Sequence, residues 1–145
     1  MKLSSLTRST PLEAVFEFGD FKIRLRHASR SDLQRLAQSC TTQRWDKGVR
    51  VSVLDDKKLA KEFGKLAVVG WEGLTIAKAA KLIPLDLSAV DPNTEVPFDL
   101  DNLNMLVEGN TALDRFIQET SVDLAAFQPD AGEELKNSEA SQSGN

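Results

Sequence analysis

The stretch Val15-Phe16-Glu17-Phe18-Gly19-Asp20-Phe21-Lys22-Ile23-Arg24-Leu25-Arg26 decides the fold class. From Phe21 onward, apolar and basic side chains alternate without a break. Phe21, Ile23 and Leu25 therefore fall on one face of a strand, and Lys22, Arg24 and Arg26 on the other. Gly19-Asp20 offers a two-residue turn, with a glycine suited to positive φ, between this strand and the aromatic run before it. A lone hairpin is marginal in water, so the apolar face has to pack on something.

Beyond the hairpin the chain reads as mostly helical. Ser31, with Gln34 three residues on, predicts a capped helix whose stripe is Leu33, Leu36, Ala37 and Cys40. Thr41 to Arg50 is polar and carries Trp45. Val49, Val51 and Val53 alternate with Arg50 and Ser52, which predicts a short strand or an extended linker. Asp55 or Asp56 caps the clearest helix, with Leu59, Phe63 and Leu66 inside and four lysines outside. This helix is read as running into Ala67 to Leu74, with Gly70 or Gly73 as its C-cap and Trp71 folding back on the core. Thr75–Lys81 is a short helix-prone piece, and residues 84–97, with three prolines, form a loop. Asp99 caps a helix carrying Leu100, Leu103, Leu106 and Val107, which closes at Glu108-Gly109-Asn110. Thr111 with Asp114 opens the last helix, presenting Leu113, Phe116, Ile117, Leu124 and Phe127 until Pro129 stops it. The expectation is an α+β protein: a flexible arm over residues 1–12, a single domain over 13–128 that pairs an N-terminal β-hairpin with a mainly α-helical remainder, and a disordered acidic tail over 129–145.

Composition narrows the chemistry. With 145 residues and 16.0 kDa, the chain fits one domain. At that length roughly 68% of the unfolded surface can be buried, so neither disulfide nor metal is needed for folding. A single cysteine, Cys40, excludes an intrachain disulfide and a cysteine-rich zinc site. A single histidine, His27, excludes any site with two histidine ligands. No glycine-rich dinucleotide loop, P-loop, nucleophile elbow, zinc-protease or EF-hand pattern occurs. Cys40 reads as a small core residue and His27 as a surface or hinge residue. The string Asp86, Asp91, Glu95, Asp99 and Asp101 lacks calcium-loop spacing and reads as a solvated loop with helix caps. No catalytic residue, cofactor or metal ligand is assigned, and the expected class is not an enzyme. No stretch approaches the ~20 apolar residues of a membrane span. The N-terminus lacks a signal-peptide core, which predicts a cytoplasmic protein.

Charge is unevenly spread. Residues 1–58 hold 12 basic and 7 acidic residues (+5), and residues 59–145 hold 6 basic and 15 acidic (−9). Intramolecular pairing or chance is the preferred reading; two faces meeting different partners, or head-to-tail contact between copies, is the other. Lys22, Arg24, Arg26, Arg30 and Arg35, with Arg44, Trp45, Lys47 and Arg50, have the ingredients of a nucleic-acid surface. A pI near 5.1 and few aromatics weigh against it, and a solvated hairpin face is preferred.

Two elements then carry a resemblance. Val68-Val69-Gly70-Trp71-Glu72-Gly73-Leu74 fits a V-x-G-W-x-G-hydrophobic pattern. Val96-Pro97-Phe98-Asp99-Leu100-Asp101-Asn102-Leu103 fits a V-P-[FY]-[ST]-x-x-N-hydrophobic pattern opening a helix, with Asp99 in place of Ser or Thr as an equally good N-cap. In this order, over residues 55–127, the chain resembles the tail assembly chaperones of long-tailed (siphovirus-type) bacteriophages and prophages. That resemblance implies a non-catalytic protein of the host-cell cytoplasm, not retained in the mature virion. It would bind the tape measure protein, keep it soluble and help recruit tail tube protein. It also implies a longer, frameshifted form of the same chain. Codons reading A-AAA-AAC across Leu135-Lys136-Asn137 would supply the slippery site. A homo-oligomer is compatible with the charge asymmetry. The candidate partner contacts are Trp45, in its polar stretch, Trp71, which reads first as a core anchor, and the apolar edge at Leu74 and Ile76. A structural virion protein, such as a tail tube or head–tail adaptor, is the alternative, and a small nucleic-acid-binding regulator a more distant one.

Overall fold

The computed structural model describes residues 2–6 and 11–128. The expected acidic tail over 129–145, and residues 1 and 7–10 of the N-terminal arm, lie outside them. The described residues form a mixed α+β structure. Strands β1 (Glu13–Phe18) and β2 (Phe21–Arg26) make the hairpin read from the sequence, with Gly19 at φ +56° in its turn. Helix α1 (Arg30–Ser39) leads into a second hairpin, β3 (Thr41–Asp46) and β4 (Val49–Leu54). Helix α2 (Asp56–Ala67) passes directly into β5 (Val68–Glu72). Helices α3 (Ile76–Leu82), α4 (Leu100–Gly109) and α5 (Thr111–Val122) come next, and a short 3₁₀ turn spans Leu124–Phe127.

The first sheet has the antiparallel order β1-β2-β5, so β2 is central. Its alternation is realised in full: Phe21, Ile23 and Leu25 are buried, and Lys22 and Arg24 are exposed. Phe63, Ala67, Leu103, Leu113, Ile117 and Phe127 complete the core against that face. Phe16 on β1 meets Phe127 edge-on at 5.3 Å and Phe116 at 6.5 Å, which holds α5 and the last turn against the hairpin.

Three readings are corrected. Val68 to Glu72 is a strand and not a helix exit, so Gly70 is no C-cap and instead pairs with Arg24. The β-branched pair Val68-Val69 favours extended backbone, and β5 covers the edge of β2 that would otherwise stay unpaired. A bulge shifts the register between Arg24 and Leu25, so that Trp71 lies opposite Ile23 and Val68 opposite Leu25. Residues three apart thus share the core side, which a period of two cannot predict. Second, Thr41–Asp46 is a strand paired with β4, making five strands among the described residues where one hairpin and a short or extended segment were expected. Third, α1 is capped by Ser29 rather than Ser31. The Ser29 hydroxyl accepts from the Asp32 N–H at 3.1 Å, and the Asp32 carboxylate accepts from the Ser29 N–H at 2.9 Å. The capping box exists, but it starts at Ser29 and closes on Asp32 instead of Gln34. Asp55 and Asp99 cap α2 and α4 as expected, while α5 is capped by Asn110, the residue immediately before Thr111.

Asn110 does more than cap. Its Oδ1 accepts from the Leu113 N–H at 2.8 Å, and its Nδ2 donates to the Leu82 carbonyl at 2.9 Å, joining the end of α3 to the α4–α5 corner. The neighbouring Gly109 lies where a Cβ would stand 2.4 Å from Ile83 Cγ2 and 3.3 Å from its Cβ. At Gly64 in α2, an added Cβ would meet Leu103 Cδ2 at an ordinary 3.4 Å.

These local geometries set three expectations. Gly109→Ala should destabilise by about 1–3 kcal/mol through overpacking against the buried Ile83, although alanine is the better helix former. Gly64→Ala should cost nothing and gain up to about 1 kcal/mol; paired thermal melts check both. The Ser29 backbone hydrogen bond, with help from the Ser29 hydroxyl and Arg35, holds the Asp32 carboxyl below its ordinary value of 3.8. Its stabilisation is complete above that value and lost as pH falls through the lowered folded-state value. Asp32→Ala should cost about 1 kcal/mol at neutral pH, and the gap to wild type should shrink on acidification, measured by melts on both sides of pH 3.8.

Candidate functional site

The basic row of β2 lies beside carboxylates on both neighbouring strands. On the outer face of the sheet, Glu13 stands opposite Arg26, 3.4 Å from its guanidinium. Lys22 is flanked by Glu17 on β1 and Glu72 on β5. A row of cations between two rows holding carboxylates offers a nucleic-acid backbone little net attraction. Lys78 and Lys81 on α3 are also occupied. Lys78 Nζ donates to the Asp20 and Gly73 carbonyls, both at 2.9 Å, and Lys81 pairs with Asp20 at 2.8 Å, which lowers the pKa of that carboxyl.

The β3–β4 hairpin stands largely in solvent, with no buried residue in either strand. Its register places Trp45 opposite Arg50 and Arg44 opposite Val51. All six residues of β3 are exposed, and Trp45 is 73% exposed. The base of the hairpin is anchored, since Thr41 Oγ1 donates to Ala37 O at 2.7 Å and the Asp55 N–H to Cys40 O at 2.8 Å. Its tip turns through Lys47 (φ +52°) and Gly48 (φ +78°), the two left-handed residues of a type I′ turn whose twist suits a two-stranded ribbon. Trp45 is thus held out from the core on a ribbon anchored at its base.

The other candidate contacts are placed differently. Trp71 is half-buried. Its indole Nε1 donates to the Val96 carbonyl at 2.8 Å, and its ring meets Phe98 edge-on at 4.9 Å. Leu74, expected at a partner-facing edge, is 1% exposed and belongs to the core. Its carbonyl accepts from the Val96 N–H at 2.8 Å. The segment before Pro97 therefore runs antiparallel beside residues 74–77, where Ile76 and Ala77 donate to Thr94 and Pro92. These bonds satisfy the first N–H groups of α3, which no earlier helical turn can serve. Ile76, expected on the same edge as Leu74, is half-buried and lines a groove.

Two apolar grooves remain open. One, of about 420 Å³, lies over Leu33, Leu36, Leu59, Phe63 and Val122, between α1, α2 and α5. The other, of about 340 Å³, is walled by Ile76, Ile83, Leu85, Val96, Met105 and Leu106, between α3, α4 and the loop that joins them. Neither groove can be read from periodicity, because each is made by elements distant in sequence. The only trace of the second is the surplus of apolar residues in the proline-rich loop.

Cys40 is fully buried at the end of α1, in keeping with its place on the stripe, and the His27 ring packs on Phe127 at 5.6 Å. Among the described residues, no group of three His, Cys, Asp or Glu side chains could hold a metal ion, and no helix is long and apolar enough to cross a membrane.

Trp71→Phe keeps most of the ring but removes the donor to Val96. It should cost about 1–2 kcal/mol and loosen the loop before α4, measured by denaturant unfolding and by faster hydrogen exchange at Val96. Comparisons with family models, with curated proteins and with solved structures give no match.

Proposed function

We propose that this protein is a non-catalytic tail assembly chaperone of a long-tailed bacteriophage or prophage. It binds the tape measure protein in the host cytoplasm, keeps its long helices soluble, helps recruit tail tube protein and is absent from the finished particle. The observation that supports this reading best is the joining of its two family-like elements. Val68–Leu74 and Val96–Leu103 are separated by α3 and the proline-rich loop after it, yet Trp71 Nε1 donates to Val96 O and Val96 N–H to Leu74 O. Tryptophan, the residue after the glycine in the first pattern, and valine, the first residue of the second, are thus partners in one joint. Two sequence elements that occur as a pair are accounted for when each completes the other's hydrogen bonds.

The rest of the molecule suits a binding role. Trp45 stands exposed on its ribbon, and apolar grooves lie open on the helical side. A protein that shields long amphipathic helices needs apolar surface of this kind.

Co-expression with the tape measure protein encoded downstream tests the reading. The tape measure protein should be soluble with this chain and aggregate without it. Trp45→Ala should leave the melting temperature unchanged and reduce the soluble yield several-fold. A tape measure protein equally soluble alone, or recovery of this chain from purified virions by mass spectrometry, would overturn the assignment.

A further inference from the structure

We infer that the groove between α3, α4 and their connecting loop is a docking site for a lysine- or arginine-rich amphipathic helix. The chaperone reading identifies who would supply that helix; the chemistry of the helix comes from the groove. Its floor and walls are apolar: Ile83 is buried, Ile76, Leu85 and Val96 are half-buried, and Met105 stands 54% exposed at the lip. Methionine is flexible and polarisable, and adapts to apolar side chains of varied shape. A trough of about 340 Å³ between a helix and an extended segment has the form that takes the apolar face of a helix, with anchors at i, i+3 and i+4.

Charge selects the sign of the partner. From Leu82 through Asp114 the chain holds seven carboxylates and no lysine or arginine. Glu95 lines the groove itself, and Asp101 is exposed on the first turn of α4. The nearest cations of α3, Lys78 and Lys81, are drawn to Asp20 and Gly73 at the turns of the first sheet. Lys61 is engaged with Glu108 at 3.5 Å. An apolar trough whose lining carries one carboxylate, Glu95, and no cation, in a stretch of chain without lysine or arginine, favours a basic helix over an acidic one, because buried apolar contact and screened Coulomb attraction then act together.

The test uses the full chain and a fluorescein-labelled helical peptide of about 18 residues built from leucine and lysine in amphipathic order, with an analogue carrying glutamate at every lysine. Fluorescence anisotropy should show saturable binding of the lysine peptide, at least about tenfold tighter than of the glutamate analogue. Met105→Lys and Glu95→Lys, both at exposed positions, should each weaken binding at least about fivefold with circular dichroism and melting temperature unchanged. Trp45→Ala should bind as wild type does. Absence of saturable binding, equal binding of the glutamate peptide, or indifference to both groove substitutions overturns the site. Peptide binding with a tape measure protein that stays insoluble would uphold the groove and sink the chaperone reading. A solubilised tape measure protein with no peptide binding would do the reverse.

Discussion

Burial of Phe21, Ile23 and Leu25 on one face of β2 is the constraint on which the remainder depends. Each is at most 4% exposed, and β2 is the only strand of its sheet with neighbours on both edges. A strand with one apolar face and three cations on the other can sit in one orientation only, since a one-residue slip would bury Lys22, Arg24 and Arg26. Fixing that orientation places β1 and β5 on its edges and commits α2 and α5 to the side where the phenyl and aliphatic groups point. The hairpin alone would be marginal; the helices supply the apolar cover it lacks.

The second structural joint is made at Trp71. A bulge turns Val68 and Trp71 toward the same side of the sheet, and the indole then reaches the backbone of Val96. The proline-rich segment before α4 is thereby tied to the first sheet without regular structure of its own. Asn110 performs the matching task at the other end of the helical layer, binding the Leu82 carbonyl while capping α5. The grooves lie between elements held at their ends in this way, so the apolar walls are positioned without being closed.

The proposed binding role rests on what the core leaves uncovered. Trp45 on its ribbon and Met105 at the groove lip are large apolar groups that the fold places outward. The basic row of β2 has the ingredients of a nucleic-acid surface but reads in the sequence as a solvated hairpin face, and in three dimensions Glu13, Glu17 and Glu72 stand beside it. Of the four residues singled out as contacts, Trp45 stands free, Ile76 lines a groove, Trp71 holds a joint, and Leu74 is core.

Local patterns determined what depends on neighbours in sequence. The alternation in β2, the glycine turn after Phe18, the aspartate caps of α2 and α4, the burial of Cys40 and the mixed α+β class all arise from side-chain periodicity and capping chemistry, which act within a few residues. Tertiary structure decided the rest. Val68–Glu72 became a strand because a free edge of β2 was available to it. Leu74 went inward while Trp45 stayed out. The β2–β5 pairing, its bulge and the grooves join residues tens of positions apart, and the free energy that selects them comes from burial and hydrogen bonding that exist only once the chain has closed on itself.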